Sequence, residues 1–481
     1  MDCIRCAAVV TQAAVWIAVI PAVSAAAVQP DQRRLLWSSI YLGAGLSLAV
    51  CCGVIAQAVV VGSPEGRWFY PYGQPATAGL VAGWILYSAV GAAIVAVPWR
   101  RVELSPWWIL IAWIVVATGL QWALRSMARY PLEALFVSDS ANSFYSVTRE
   151  YTAAEMLRQF DRVRNYAPLH VQSNMPGKLL LIEGLKLIST RTDVLPWLLV
   201  GLSSLGAVVM YGFVRELFES RRTAMSAAAL YLFLPARTFF FPLLNTITPL
   251  AALVCGWLLL RWLRTGRTAY AVMMGLALFG LVLFEPLPLV MGLLFLALVL
   301  SAVLRSQIAW DRFIAQAAIA ILAFIGTSEA VTAWSGFDIV RAFHIIGAHA
   351  REFNETSDRP YSIWIAANLW EFAFGIGVCQ AVAFAGALAF GLRTPGDWRQ
   401  RLSRPIVVFC LGLLAVLVAL DLIGINRGEV IRLWIFLACF FQIPAAYLCS
   451  TLNARSAIAL VLAVTAFQAA VGVTLIDFVV P

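Results

Sequence analysis

What most constrains this chain is the length of its apolar runs. Stretches of 18 or more residues with few or no charges recur along the sequence. Such a stretch reads as a membrane-crossing helix, because about 20 residues at 1.5 Å each match a hydrocarbon core of roughly 30 Å. Inside lipid every backbone polar group needs an internal partner, so isolated strands are excluded. A β-barrel would show short alternating segments, which these runs are not. Composition sharpens the point. Of 481 residues, 62% are hydrophobic and 12% are charged, against about 25% charged in a soluble domain. Too few polar groups remain to clothe a soluble protein of this size. A cytosolic enzyme, a disordered chain and a soluble secreted domain are therefore excluded.

The expected fold class is an all-α polytopic membrane protein with about 13–14 transmembrane helices and a long outer loop containing surface helices. Candidate spans lie near 7–28, 37–62, 77–98, 107–125, 195–213, 224–242, 247–263, 269–284, 286–304, 313–333, 363–392, 405–422, 432–450 and 456–477. The first is too long for a signal-peptide core and reads as a retained helix, despite its AVSAAA text. Residues 175–189 are partly apolar but carry Lys178, Glu183 and Lys186. Too short to cross, they are expected to lie at or dip into the outer interface. Residues 1–106 form an N-terminal group of helices, and 107–481 a larger unit that includes the outer loop 126–194.

Charge gives the orientation. The net charge is +9, from 34 Lys+Arg against 25 Asp+Glu, with Lys only at 178 and 186. In a membrane protein such an excess reads as cytoplasmic loop charge, not nucleic-acid affinity. Arg33/Arg34, Arg100/Arg101, Arg215 with Arg221/Arg222, Arg261/Arg264/Arg267, Arg305/Arg312 and Arg393/Arg399/Arg401/Arg404 fall in alternate short loops. These are placed in the cytoplasm. The loops at 63–76, 126–194, 243–246, 334–362 and 423–431 then face outward, and the expected location is the plasma membrane. No internal repeat is visible, which argues against an inverted-repeat transporter.

Polar residues are scarce enough for their clustering to matter. Asp139, in ALFVSDSANSFY, follows a span by about a dozen residues and is a candidate acid–base group. The competing reading is a helix N-cap. Residues 152–164 read as an amphipathic surface helix, with Ala153, Met156, Leu157, Phe160 and Val163 on one face. His170, Asn174 and Lys178 share the polar text HVQSNMPGK. A lysine at a helix start opposes the helix dipole unless an anion is near; snorkelling to headgroups is the alternative. Arg341, Arg427 and Arg432 lie in outer loops, and an arginine fork suits phosphate. Ordinary interface anchoring competes with that role.

His344 and His349 lack a metal-binding frame. Cys3 and Cys6 form a CxxC without visible partners, and the other cysteines read as small buried residues. No metal and no cofactor are expected.

The order of these features resembles the GT-C superfamily of polyprenyl-phosphate-sugar-dependent membrane glycosyltransferases. Protein mannosyltransferases and actinobacterial arabinofuranosyltransferases belong to it. The matching text is Asp139 in FVSDSANSFY, HVQSNMPGK at 170–178, VRELFESRRTAMSAAALYLFLP at 214–235, GLALFGLVLFEPLPL at 275–289 and RGEVIRLWIF at 427–436. Together they span roughly residues 107–450. The chain departs from the pattern in three ways: extra helices come first, SDS offers a single carboxylate, and no soluble domain follows the membrane part.

The resemblance implies transfer of a sugar from a polyprenyl-phosphate donor to a lipid or cell-envelope glycan acceptor on the outer face. Asp139 would be the general base, and the anomeric centre would invert. His170, Asn174, Lys178, Arg341, Arg427 and Arg432 would hold the phosphate. Two other classes stand beside it. A transporter or flippase of a lipid-linked glycan would need ionisable residues deep in its helices, whereas Asp421, Glu329 and Glu371 read as near span ends. A non-catalytic assembly subunit would tolerate Asp139→Asn.

Overall fold

The structure, a computed structural model, describes residues 29–96, 105–305 and 307–481. The segment 7–28, Cys3, Cys6 and Arg100/Arg101 lie outside the described residues. The described residues are all-α apart from one short hairpin. Ten described helices are long and apolar enough to cross a membrane. An eleventh follows if Tyr361–Ile376 and Val378–Arg393, bent by 98°, make one span.

Of the fourteen candidate spans, 7–28 lies outside the described residues and three others are not single long helices, for local reasons. The stretch 224–242 divides into Arg221–Leu232 and Pro235–Phe240. Pro235 has no N–H to donate and its ring crowds the preceding turn, so a new helix begins at its own first position. Thr268–Phe284 is apolar but one residue shorter than the shortest of the ten. The stretch 363–392 breaks at Gly377, whose φ of +98° and ψ of 125° lie where side chains are not tolerated.

The helix Arg455–Leu475 forms the axis of the bundle. It packs on Ala78–Ala96 and Pro30–Ile55, and almost all of it is buried. Buried amides tie its neighbours together. The Gln468 side-chain oxygen accepts from Ser47 Oγ and the Val378 backbone N–H, and its Nε2 donates to Phe374 O. These bonds hold the half-helix after Gly377 in place.

The long loop 126–194 folds into a cap of short helices. The expected amphipathic segment is present as two pieces, Ala153–Arg158 and Phe160–Tyr166, separated at Gln159. Thr152 and Glu155 start the first with a reciprocal capping box. Met156, Leu157, Phe160 and Val163 are buried as the pattern predicts. Gly177–Lys186 is ten residues long and does not cross. One face of it is buried: Leu179, Ile182 and Leu185 join Phe136, Met156 and Val171 in a second apolar core. The loop at 334–362 contains the helix Ile339–Thr356, capped by the Asp338 carboxylate on two backbone N–H groups.

The hairpin pairs Val61–Ser63 with Trp68–Tyr70, Val61 opposite Tyr70. Residues 476–480 lie against it. Ile476 bridges Tyr72, Asp477 N–H donates to Pro71 O, and Phe478 stacks on Phe239 at 4.2 Å.

Candidate functional site

The hairpin, the cap helices, the 424–433 turn and residues 477–480 enclose a cavity of about 640 Å³. It lies at the end of the bundle that carries the cap and the 424–433 turn, away from the arginine-rich turns at 215–222, 261–267 and 393–404. Its wall is mostly apolar, Phe343, Ile346, Leu287 and Leu289 included, with a smaller set of polar groups.

The first polar group is set by four-residue spacing. His170, Asn174 and Lys178 follow one another by four positions, so backbone turns stack them. Asn174 Nδ2 donates to His170 O at 2.7 Å, and Lys178 Nζ donates to Asn174 Oδ1 at 2.7 Å. His170 Nε2 lies 2.8 Å from Ser140 O. A carbonyl only accepts, so Nε2 carries the hydrogen and the neutral ring keeps a bare Nδ1. Burial and the Arg432 guanidinium push the His170 pKa down to about 4. His170 and Asn174 line the cavity.

Lys178 lies underneath. It is 1% exposed and pairs with Glu285 at 3.1 Å, between the Phe144 and Phe284 rings. Burial lowers its pKa, and Glu285 opposes that shift. Thr248 Oγ1 donates to the same Glu285 oxygen at 2.7 Å. The cation the sequence offers to a phosphate is thus already matched by a buried carboxylate. Its direct effect is to fix Asn174, and through it the turn bearing His170.

The second group is built on the 424–429 turn. Asn368 and Glu371 hold this turn by accepting from the backbone N–H groups of Gly428 and Val430. Glu429, at φ +59°, turns its carboxylate between Arg359 at 3.2 Å and Arg432 at 2.5 Å. Burial disfavours that carboxylate, but Arg432 and Arg359 outweigh it and hold its pKa below the usual range. Arg359 is sandwiched by Trp68 and Phe353, with centroids at 4.9 and 5.1 Å. Arg359 and Arg427 each donate to the other's backbone carbonyl at 2.8 Å. Arg359, Arg427 and Arg432 all line the cavity.

Asp477 is the third carboxylate on the wall, with Glu285 and Glu429. Its side chain is 9% exposed, and Oδ2 takes Arg129 Nη1 at 2.8 Å. Its Oδ1 has no hydrogen-bond partner among the described residues. Burial raises its pKa against the pull of Arg129.

Two predicted residues sit elsewhere. Asp139 is exposed in the first turn of Asp139–Glu150, a position that suits the helix dipole. Ser138, not Asp139, is the N-cap, accepting from Ala141 N–H. The neighbours Ser140 and Ala141 reach the cavity wall, and Asp139 does not. Arg341 points away and pairs with Asp161 on the surface at 2.7 Å, both well exposed.

The structure therefore brings together His170, Asn174, Arg427 and Arg432, with Lys178 beneath them. It adds Arg359, Glu285, Glu429 and Asp477, which the sequence reading did not select. The only advance signal for Glu285 was a lone carboxylate in an apolar FEPLPL run. Among the described residues, no group of three or more His, Cys, Asp or Glu side chains is placed to hold a metal.

No protein-family profile matches the chain, and no curated protein is significantly similar to it. What fold and cavity define is a polytopic helical membrane protein with a cation-bearing cavity at one end.

Proposed function

We propose that this protein is a membrane glycosyltransferase that takes a sugar from a polyprenyl-phosphate donor on the outer face. One observation carries the reading: Arg427, Arg432 and His170 line a cavity whose wall is otherwise mostly apolar. A lipid-linked sugar phosphate has that same division, an anionic head on a hydrocarbon chain. The order of sequence features that resembles GT-C enzymes supports it independently.

In this reading the acceptor hydroxyl gives its proton to a carboxylate, and its oxygen attacks the anomeric carbon. The bond from that carbon to the phosphate oxygen breaks, and polyprenyl phosphate leaves with the electron pair. The arginines stabilise the charge that develops on the leaving phosphate, where low dielectric strengthens them. Because Asp139 is off the wall, the geometry favours Asp477 over it as the base. Glu285 and Glu429 are each committed to buried cations.

The test is transfer from labelled polyprenyl-phosphate sugars in membranes containing the wild type, Asp477→Asn or Asp139→Asn. Loss of a positioned base costs roughly 10²–10⁴-fold, expected here for Asp477→Asn. Asp139→Asn falling by that amount while Asp477→Asn does not would reassign the base. No wild-type transfer from mannosyl, arabinosyl, glucosyl or galactosyl donors would overturn the reading.

A further inference from the structure

A second cleft, of about 690 Å³, opens at the other end of the bundle, among the arginine-rich turns. Arg264, Arg305 and Arg404 line it, facing Glu216 and Glu219. Both carboxylates are taken. Glu216 accepts from Arg261 at 2.8 Å and Arg264 at 3.0 Å, and Glu219 pairs with Arg264 at 2.9 Å. Arg404 spends its two terminal nitrogens on the carbonyls of Gly391 and Pro395.

Arg305 differs from all of these. Its guanidinium has no hydrogen bond or ion pair among the described residues. Partial burial lowers its pKa, with no carboxylate to compensate. Ser301, one turn earlier on the same helix, also lines the cleft, and its hydroxyl has no partner among the described residues. Five N–H donors on exposed Arg305 and a hydroxyl on Ser301 thus line a cleft whose acceptors, Glu216 and Glu219, are bound to other arginines. About half of the wall is apolar, including Leu260, Leu298 and Ile406 from three separate helices, and Ser220, Gln307 and Thr451 are among its other polar residues.

We propose that this cleft is a binding site for the phosphate of an anionic membrane phospholipid. The headgroup phosphate sits on Arg305 and Ser301, and an acyl chain lies along Leu298 and Ile406. The basic end of the bundle is the one that the charge rule assigns to the cytoplasm, where the bilayer surface is anionic. A free phosphate would satisfy Arg305 but leave the apolar wall uncovered. The site is separate from the glycosyl-transfer cavity and does not rest on that reading.

Native mass spectrometry of the full chain, released from detergent with phosphatidylglycerol or phosphatidylcholine, tests this. The wild type is expected to retain phosphatidylglycerol preferentially. Arg305→Gln is expected to weaken that retention roughly tenfold, the loss of one charge-assisted phosphate contact. Arg399→Gln, an exposed arginine that stacks on Trp398 at the same end, is expected to leave it unchanged. Equal retention of both lipids overturns the proposal. So does an equal effect of the two variants, which would mean a diffuse charge effect. Displacement of the lipid by millimolar inorganic phosphate would overturn the lipid assignment in favour of a free-anion site.

Discussion

Lys178 is the buried cation that ties the cap of short helices to Glu285. A buried ion pair is weak evidence of stability in itself, because desolvation of both partners offsets their attraction. Removing one partner is another matter: Glu285 would remain 6% exposed without its cation. Lys178→Met is expected to destabilise the protein by about 3–5 kcal/mol, read as a lower thermal unfolding midpoint in detergent. Lys178→Met combined with Glu285→Leu should recover most of that loss. If the double variant is as unstable as the single, the cost is packing and not an orphaned charge. His170 carries the pH dependence of the same region. Its folded pKa of about 4 lies below the 6.5 of a free ring. Between those values the unfolded chain takes up a proton that the folded chain refuses. This contribution is complete above about 6.5 and drains away as pH falls toward about 4. His170→Asn should flatten the unfolding midpoint across that window; an unchanged slope would show that other groups set it. The four-residue spacing of His170, Asn174 and Lys178 was legible in the sequence. Glu285 was not, because the pairing joins positions more than a hundred residues apart and leaves no local pattern.

At the scale of elements, periodic burial was readable and breaks were not. The buried face Met156, Leu157, Phe160 and Val163 follows from helical spacing. The interruption at Gln159 does not, since nothing in that residue type forbids a helix. Three-residue strands such as Val61–Ser63 are too short to show alternation, so the hairpin was invisible in advance. Gly377 is the break whose cause can be tested. A Cβ there would stand 2.2 Å from Gln380 Oε1, on a backbone already at φ +98°. The strain alone is worth about 1–3 kcal/mol. Gly377→Ala should therefore lower the unfolding midpoint and straighten the bent pair or unseat Gln380. Gly326 has nothing within 4 Å of its Cβ position, in the middle of Trp310–Ser335. Gly326→Ala should be neutral or stabilise by a fraction of a kcal/mol through helix propensity. Equal effects of the two substitutions would deny Gly377 any special conformational role.

For the whole molecule, the two clefts divide the bundle into chemically different ends, and orientation decides what each end meets. One cavity gathers Arg359, Arg427 and Arg432 around Glu429; the other gathers Arg264, Arg305 and Arg404 around Glu216 and Glu219. Both are cationic, so local charge does not say which faces out. The decision rests on the short turns, where arginine recurs at alternate ends of successive spans. Glu65, exposed in the hairpin turn, marks the end of the first cavity. Arg267, exposed in the turn between Leu244–Thr265 and Thr268–Phe284, marks the other. Four whole spans separate these positions. The broken stretch 221–240, which runs from Thr223 at one cleft to Phe240 at the other, makes a fifth crossing. In intact cells a membrane-impermeant maleimide should therefore label Glu65→Cys and spare Arg267→Cys, which should react only once the membrane is opened. The wild type, with its native cysteines including exposed Cys52, supplies the background. The opposite pattern would put the first cavity in the cytoplasm. It would then face soluble activated sugars, and the case for an outer-leaflet donor would fall while the geometry of the site stood. Labelling of both positions from outside would mean that the number of spans between them is even, so one of the broken or short helices there fails to cross.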